Sequence, residues 1–152
     1  MSLVWNDRYT TGHPRVDEQH KSLFAYLNDL EGLLRLRECD TPMVENLIRS
    51  LGVYVRIHFA CEESCMEIHR CPNAEKNKRE HAIFLREFNS FREAWRQEGP
   101  SLERLQMLHR ASEAWIVQHI FKVDQELGET LKERDYNLAQ RESHIRWEAV
   151  AN

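Results

Sequence analysis

Residues 58–84 read HFACEESCMEIHRCPNAEKNKREHAIF. Pro72, near the middle, cannot continue a helix, so the stretch divides into two helical halves joined by the turn HRCPN at 69–73. In the first half His58 and Glu62 are four residues apart, and in the second Asn77 and His81 have the same spacing. A step of four places both members of a pair on one face, a single turn apart. That face is otherwise apolar in both halves. Upstream it carries Leu47, Leu51, Tyr54 and Val55, then His58, Glu62 and Cys65. Downstream it carries Asn77, His81, Phe84, Phe88, Phe91 and Trp95. Two antiparallel amphipathic helices therefore bring metal-type residues to matching depth in a shared core.

Two further helices read outward from this pair. A segment over about residues 17–37 has the stripe Leu23, Leu27, Leu30, Leu34, with Phe24 beside it and His20 on the same face. Thr41-Pro42 supplies an N-cap and a first-turn proline for the second helix. Gly99-Pro100 stops the third. The fourth starts near Ser101 and carries Leu102, Leu105, His109, Ser112, Ile116, His119, Val123 and Leu127, with Trp115 next to the stripe. Four such helices with short turns predict an all-α, antiparallel up-down four-helix bundle. An N-terminal arm over residues 1–16 precedes it, and the bundle domain is expected over residues 1–128. Residues 129–152 form a charged helical extension in which Leu131, Leu138 and Ile145 recur every seventh residue. It reads as a solvated tail or as a linker to a signalling domain.

Composition narrows the function. With 152 residues the chain holds one domain, and five glycines and four prolines are too few for a many-stranded β fold. A net charge of −4 offers no basic face for nucleic acid. No apolar run is long enough to cross a bilayer, and no secretory leader is visible. The four cysteines form no C-x-x-C pair and read as reduced thiols, which predicts a cytoplasmic location.

The anomaly is polar residues in the predicted core. The stripes carry His20, then His58 and Glu62, then Asn77 and His81, then His119 with Asp124 nearby. A buried carboxylate without a partner costs several kcal/mol, and a bound metal would supply the positive charge it needs. Four imidazoles and two carboxylates on four helices suit a dinuclear first-row site, with iron the leading metal. Zinc is the alternative, but one four-coordinate ion leaves candidates over. His119 and Asp124 are five residues apart, a step that turns an ideal α-helix about 140° off the shared face. The pair therefore needs a long reach or a local π-type bulge. Glu63 reads as a surface charge, Cys65 as a small core filler, and His13, His69, His109 and His144 as residues outside the site.

These pieces resemble the hemerythrin family, in its bacterial form. The matching residues are Trp5, Tyr9 and Gly12; Val16-Asp17-Glu18-Gln19-His20; His58-Phe59-Ala60-Cys61-Glu62-Glu63 with Met66; Glu80-His81 with Phe84; and Trp115-Ile116-Val117-Gln118-His119-Ile120 with Asp124. The resemblance implies a non-haem centre of two Fe ions. One iron would be held by His20 and His58, the other by His81 and His119. Glu62, Asp124 and an oxo or hydroxo group would bridge them. Dioxygen would bind at the two-histidine iron, beside Ile116. The family pattern has a third histidine four residues before His81, where this chain has Asn77. An amide oxygen is a weaker, harder donor, or it only anchors water. Autoxidation is then favoured over reversible carriage.

The reading favoured at this point is a non-enzymatic oxygen- or redox-sensing input domain, binding dioxygen or another small diatomic or anionic ligand. Its output would be a fused or associated signalling domain reached through the C-terminal helix. A stand-alone dioxygen binding, storage or delivery protein, a diiron peroxide or nitric oxide reductase, and a purely structural or metal-storage bundle are the alternatives.

Overall fold

A computed structural model describes residues 2–135 of the chain. The repeat positions Leu138 and Ile145, and His144, lie outside the described residues.

Four helices follow in order: α1 over Pro14–Arg35, α2 over Pro42–Ile68, α3 over Ala74–Glu98 and α4 over Leu102–His119. A one-turn 3-10 helix, Asp7–Tyr9, lies in the arm. α4 runs into a π turn over Ile120–Asp124, and helix resumes over residues 125–135. Each helix packs on its two neighbours, closing a ring α1–α2–α3–α4–α1. Among the described residues there is no strand. The predicted all-α up-down bundle is the observed fold.

The ends follow from local chemistry. Thr41 Oγ1 accepts from the Val44 N–H at 3.3 Å, and Ser101 Oγ accepts from the Arg104 N–H at 3.1 Å. Gly99, at φ 85°, ends α3 in a conformation open to glycine. α1 starts earlier than expected. His13 is its N-cap, with Nδ1 accepting from the Val16 N–H at 3.4 Å, and Pro14 fits the first turn. The arm is thus shorter than its predicted sixteen residues.

Two stripes are also rotated slightly from their predicted faces. Leu33, not Leu34, is buried in α1. In α2 Val44 and Ile48 are buried while Leu47, Tyr54 and Cys65 are half-buried. The bundle core is wider than a single 3–4 row, so the residue adjacent to the row often points further inward.

The apolar core comes in two parts. The larger contains Leu23, Leu27, Val55, Phe59, Phe84 and Ile116. The smaller contains Val16, Met66, Cys71, Val123 and Leu127. His20 lies between Val16 and Leu23 in sequence, and Glu62 between Phe59 and Met66. The polar residues therefore sit where the two apolar clusters meet. All four cysteines are free.

Candidate metal centre

His20, His58, Glu62, Asn77, His81, His119 and Asp124 are all buried, with Glu62, Asn77 and Asp124 at 0 % exposure. The fold brings every one of these predicted positions into one pocket. His20 comes from α1, His58 and Glu62 from α2, Asn77 and His81 from α3, His119 from the end of α4, and Asp124 from the π turn. That turn resolves the awkward step of five: its i→i+5 hydrogen bonding lets five residues close one turn, bringing Asp124 back to the face of His119.

Two overlapping groups of donor atoms result, each with all members within 4.8 Å of one another: His20, His58 and Glu62, and Glu62, His81 and His119. Asp124 spans both. Its Oδ2 lies 3.2 Å from His20 Nε2 and its Oδ1 3.1 Å from His119 Nε2. Glu62 reaches in both directions as well, with Oε1 3.7 Å from His20 Nε2 and Oε2 3.2 Å from His81 Nε2.

These are close approaches without hydrogen-bond geometry. His20 Nδ1 and Nε2, Glu62 Oε1, His81 Nε2 and both oxygens of Asp124 are buried with no hydrogen-bond partner. Leaving so many buried polar atoms unpaired costs about 1–3 kcal/mol each. A cation between them would satisfy all but the outward His20 Nδ1, which is the fit expected of a metal pocket.

The imidazoles are held from behind. His58 Nδ1 meets Gln19 Oε1 at 3.0 Å, His81 Nδ1 meets Glu63 Oε1 at 2.9 Å, and His119 Nδ1 meets Glu80 Oε2 at 2.8 Å. Gln19 and Glu80 stand beside His20 and His81 in sequence; the family resemblance includes both, but spacing alone gave neither a role. Glu63 is corrected: it is not a surface charge but a partner of His81. A side chain about 100° round the helix from Glu62 reaches the neighbouring helix instead of solvent. Such acceptors fix the outward N–H and aim the other nitrogen inward.

Burial lowers the pKa of His58 and of His81 to about 4 each, more strongly than nearby carboxylates raise it. At His20 and His119 burial again disfavours the charge, but the Asp124 carboxylate outweighs it and the pKa is raised. Burial and the Asp124 charge push Glu62 up to about 7. Burial also opposes the Asp124 charge, yet His119 and His20 hold that carboxyl below the ordinary range.

Rings form the wall. Phe59 stacks on His81 at 3.7 Å between centroids, and Trp115 stacks on His119 at 4.3 Å. Ile116 is buried in the larger apolar cluster. His109 is buried on α4 beside Glu113, about 15 Å from His119 along the axis. His69 Nδ1 faces Arg134 at 3.2 Å. Cys65 is half-buried and packs against the smaller apolar cluster, with Sγ 3.7 Å from His13 Nε2.

The hemerythrin HHE cation binding domain profile matches residues 11–131. The chain belongs to the hemerythrin family. It is 28 % identical over 146 residues to the bacteriohemerythrin of Stenotrophomonas maltophilia (strain R551-3), covering 95 % of this chain and 92 % of that one. The bacteriohemerythrin of Pseudomonas aeruginosa (strain LESB58) is 28 % identical over 148 residues with the same coverage. The myohemerythrin of Theromyzon tessulatum is 22 % identical over 120 residues, covering 79 % of this chain and 86 % of that one. The fold matches a crystal structure of wild-type hemerythrin with a TM-score of 0.73 at 22 % identity, over 86 % of this chain and 98 % of the other.

Within this hemerythrin fold Asn77 is tied into the pocket on both sides of its amide. Its Oδ1 lies 2.7 Å from His119 Nε2, and its Nδ2 donates to Glu62 Oε2 at 3.4 Å. No described helix is long and apolar enough to cross a membrane.

Proposed function

We propose that this chain is a non-haem diiron protein that reacts with dioxygen and acts as an oxygen- or redox-sensing input domain. His20, His58, Glu62, His81, His119 and Asp124 would hold two iron ions, with Glu62 and Asp124 shared between them. The observation that carries this is the convergence on one pocket of unpaired buried donor atoms from α1, α2, α3 and the π turn that follows α4. Iron held there would supply the one-electron redox and small-ligand chemistry that the side chains lack.

The protein's own contribution is orientation and dryness. Gln19, Glu63 and Glu80 fix three imidazoles with their Nε2 atoms inward. Phe59 and Trp115 stack on His81 and His119 and would keep bulk water from them, and Ile116 would line the space for dioxygen, as the resemblance implies.

Two features support sensing over carriage. Asn77 stands where the family pattern has a histidine, which favours autoxidation. Asp124 also sits on a turn that is tied to the arm and runs on into the helix over 125–135. Tyr9 packs on Phe121 at 5.1 Å, and Gln125 Nε2 donates to the Arg8 carbonyl at 2.6 Å. A shift at Asp124 would therefore move both the arm and the helix over 125–135. A fused or associated signalling domain would receive it through the C-terminal helix.

The test is rapid mixing of the anaerobically reduced, iron-loaded protein with dioxygen, followed by visible absorption. The sensing reading expects direct passage to the oxidised form. A long-lived band that reverses on deoxygenation would instead make the chain a dioxygen carrier, and would show that Asn77 does not hasten oxidation.

A further inference from the structure

The two halves of the pocket are not equivalent. On the α1–α2 side, His20 Nε2 and Glu62 Oε1 are buried and unbonded. On the α3–α4 side His81 Nε2 and Asp124 Oδ1 are unbonded too, but His119 Nε2 already lies 2.7 Å from Asn77 Oδ1, and Asn77 Nδ2 donates to Glu62 Oε2. A cation entering between His20, His58 and Glu62 relieves atoms that have no partner. A cation entering between Glu62, His81 and His119 must first break the amide's bonds to two of its donors. It also arrives second at carboxylates already shared with the first ion.

We infer that the pocket loads in order, a tight first ion at His20, His58, Glu62 and Asp124, then a weak, exchangeable one at His81, His119 and the shared carboxylates, with Asn77 as the latch on the second position. This rests on the diiron reading proposed above. The latch is Asn77's doing, because an amide offers an acceptor and a donor at once and so bridges an imidazole and a carboxylate. An imidazole in its place would present a nitrogen donor to the ion instead.

The experiment is stepwise anaerobic addition of ferrous iron to the metal-free protein, with bound ions counted by native mass spectrometry. Ordered loading expects one ion per chain before any second appears, and a second affinity at least tenfold weaker than the first. Asn77→His is expected to strengthen the second step at least tenfold and leave the first unchanged. His119→Ala should abolish the second step only, and His58→Ala should weaken the first. Two ions appearing together in the unaltered protein, with equal affinity, would overturn the inference and leave the diiron reading standing. No bound ion at any concentration would overturn both. The unaltered protein carries the test by itself, so a poorly folded variant does not decide it.

Discussion

The carbonyl oxygen of Thr11 fills the space that a side chain on Gly128 would need: a Cβ there would lie 1.9 Å from it. The arm thus crosses the helix over 125–135 one turn beyond Asp124, with backbone against backbone. Asp17 fixes the arm from the other side, accepting from the Thr11 N–H at 2.8 Å and the Thr11 hydroxyl at 2.7 Å. Gly128→Ala must displace the arm. We expect it to destabilise the metal-free protein by about 1–3 kcal/mol, the usual cost of overpacking. Urea denaturation followed by tryptophan fluorescence would measure this, and unchanged stability would mean the contact is not kept in solution.

The residues behind the imidazoles should matter to metal affinity although none faces the pocket. Glu80→Ala removes the acceptor of His119 Nδ1, and Glu63→Ala that of His81. Each is expected to weaken iron binding about 10–100-fold in a chelator competition. Glu67→Ala is the control, because Glu67 is exposed and its carboxylate pairs with Lys78, away from the imidazoles. An equal loss in all three variants would count against orientation as the cause.

Iron uptake should release protons, and more of them at pH 6 than at pH 8. Glu62, raised to about 7, is largely protonated at pH 6 and largely ionised at pH 8. His20 and His119, also raised, add protons that an ion must displace. His58 and His81, lowered to about 4, are neutral at both values and contribute none. Affinity therefore falls as pH drops through about 7. Calorimetry in buffers of different ionisation enthalpy counts the protons. The same count at both values would contradict these shifts.

The π turn accommodates one residue more than an α-helix would. Deleting Lys122, which is exposed, should convert Ile120–Asp124 to a regular α turn and keep the aspartate on the pocket side, four residues after His119. Deleting Ala114, exposed in regular helix, should instead rotate His119 and Asp124 about 100° against the start of α4. Iron content after loading is expected to survive the first deletion and be lost in the second. Loss in both would mean that the turn itself is required.

Much of the fold was legible because burial on a helix leaves a period. The stripes of α3 and α4, the caps at Thr41 and Ser101, and the stop at Gly99 all appear locally in the chain. The pocket was legible too, since imidazoles and carboxylates on apolar stripes are costly to bury unless a cation sits among them. Even the π turn left a trace, in the step of five between His119 and Asp124. What had no local trace was which side chain reaches across to another helix. Glu63 and Glu80 have the same sequence surroundings as ordinary surface carboxylates, and Gly128 looks like any helical glycine.

The sequence by itself determined four amphipathic helices, their order, and most of the residues they would bury, because these depend on spacing within a dozen residues. Only the tertiary structure decided that Glu63, Glu80 and Gln19 turn inward to hold imidazoles, that Asn77 latches His119 to Glu62, and that the arm lies on Gly128. Each of those contacts joins separate elements. Their geometry depends on how one helix is rotated and displaced against its neighbours, which no periodicity along a single helix encodes.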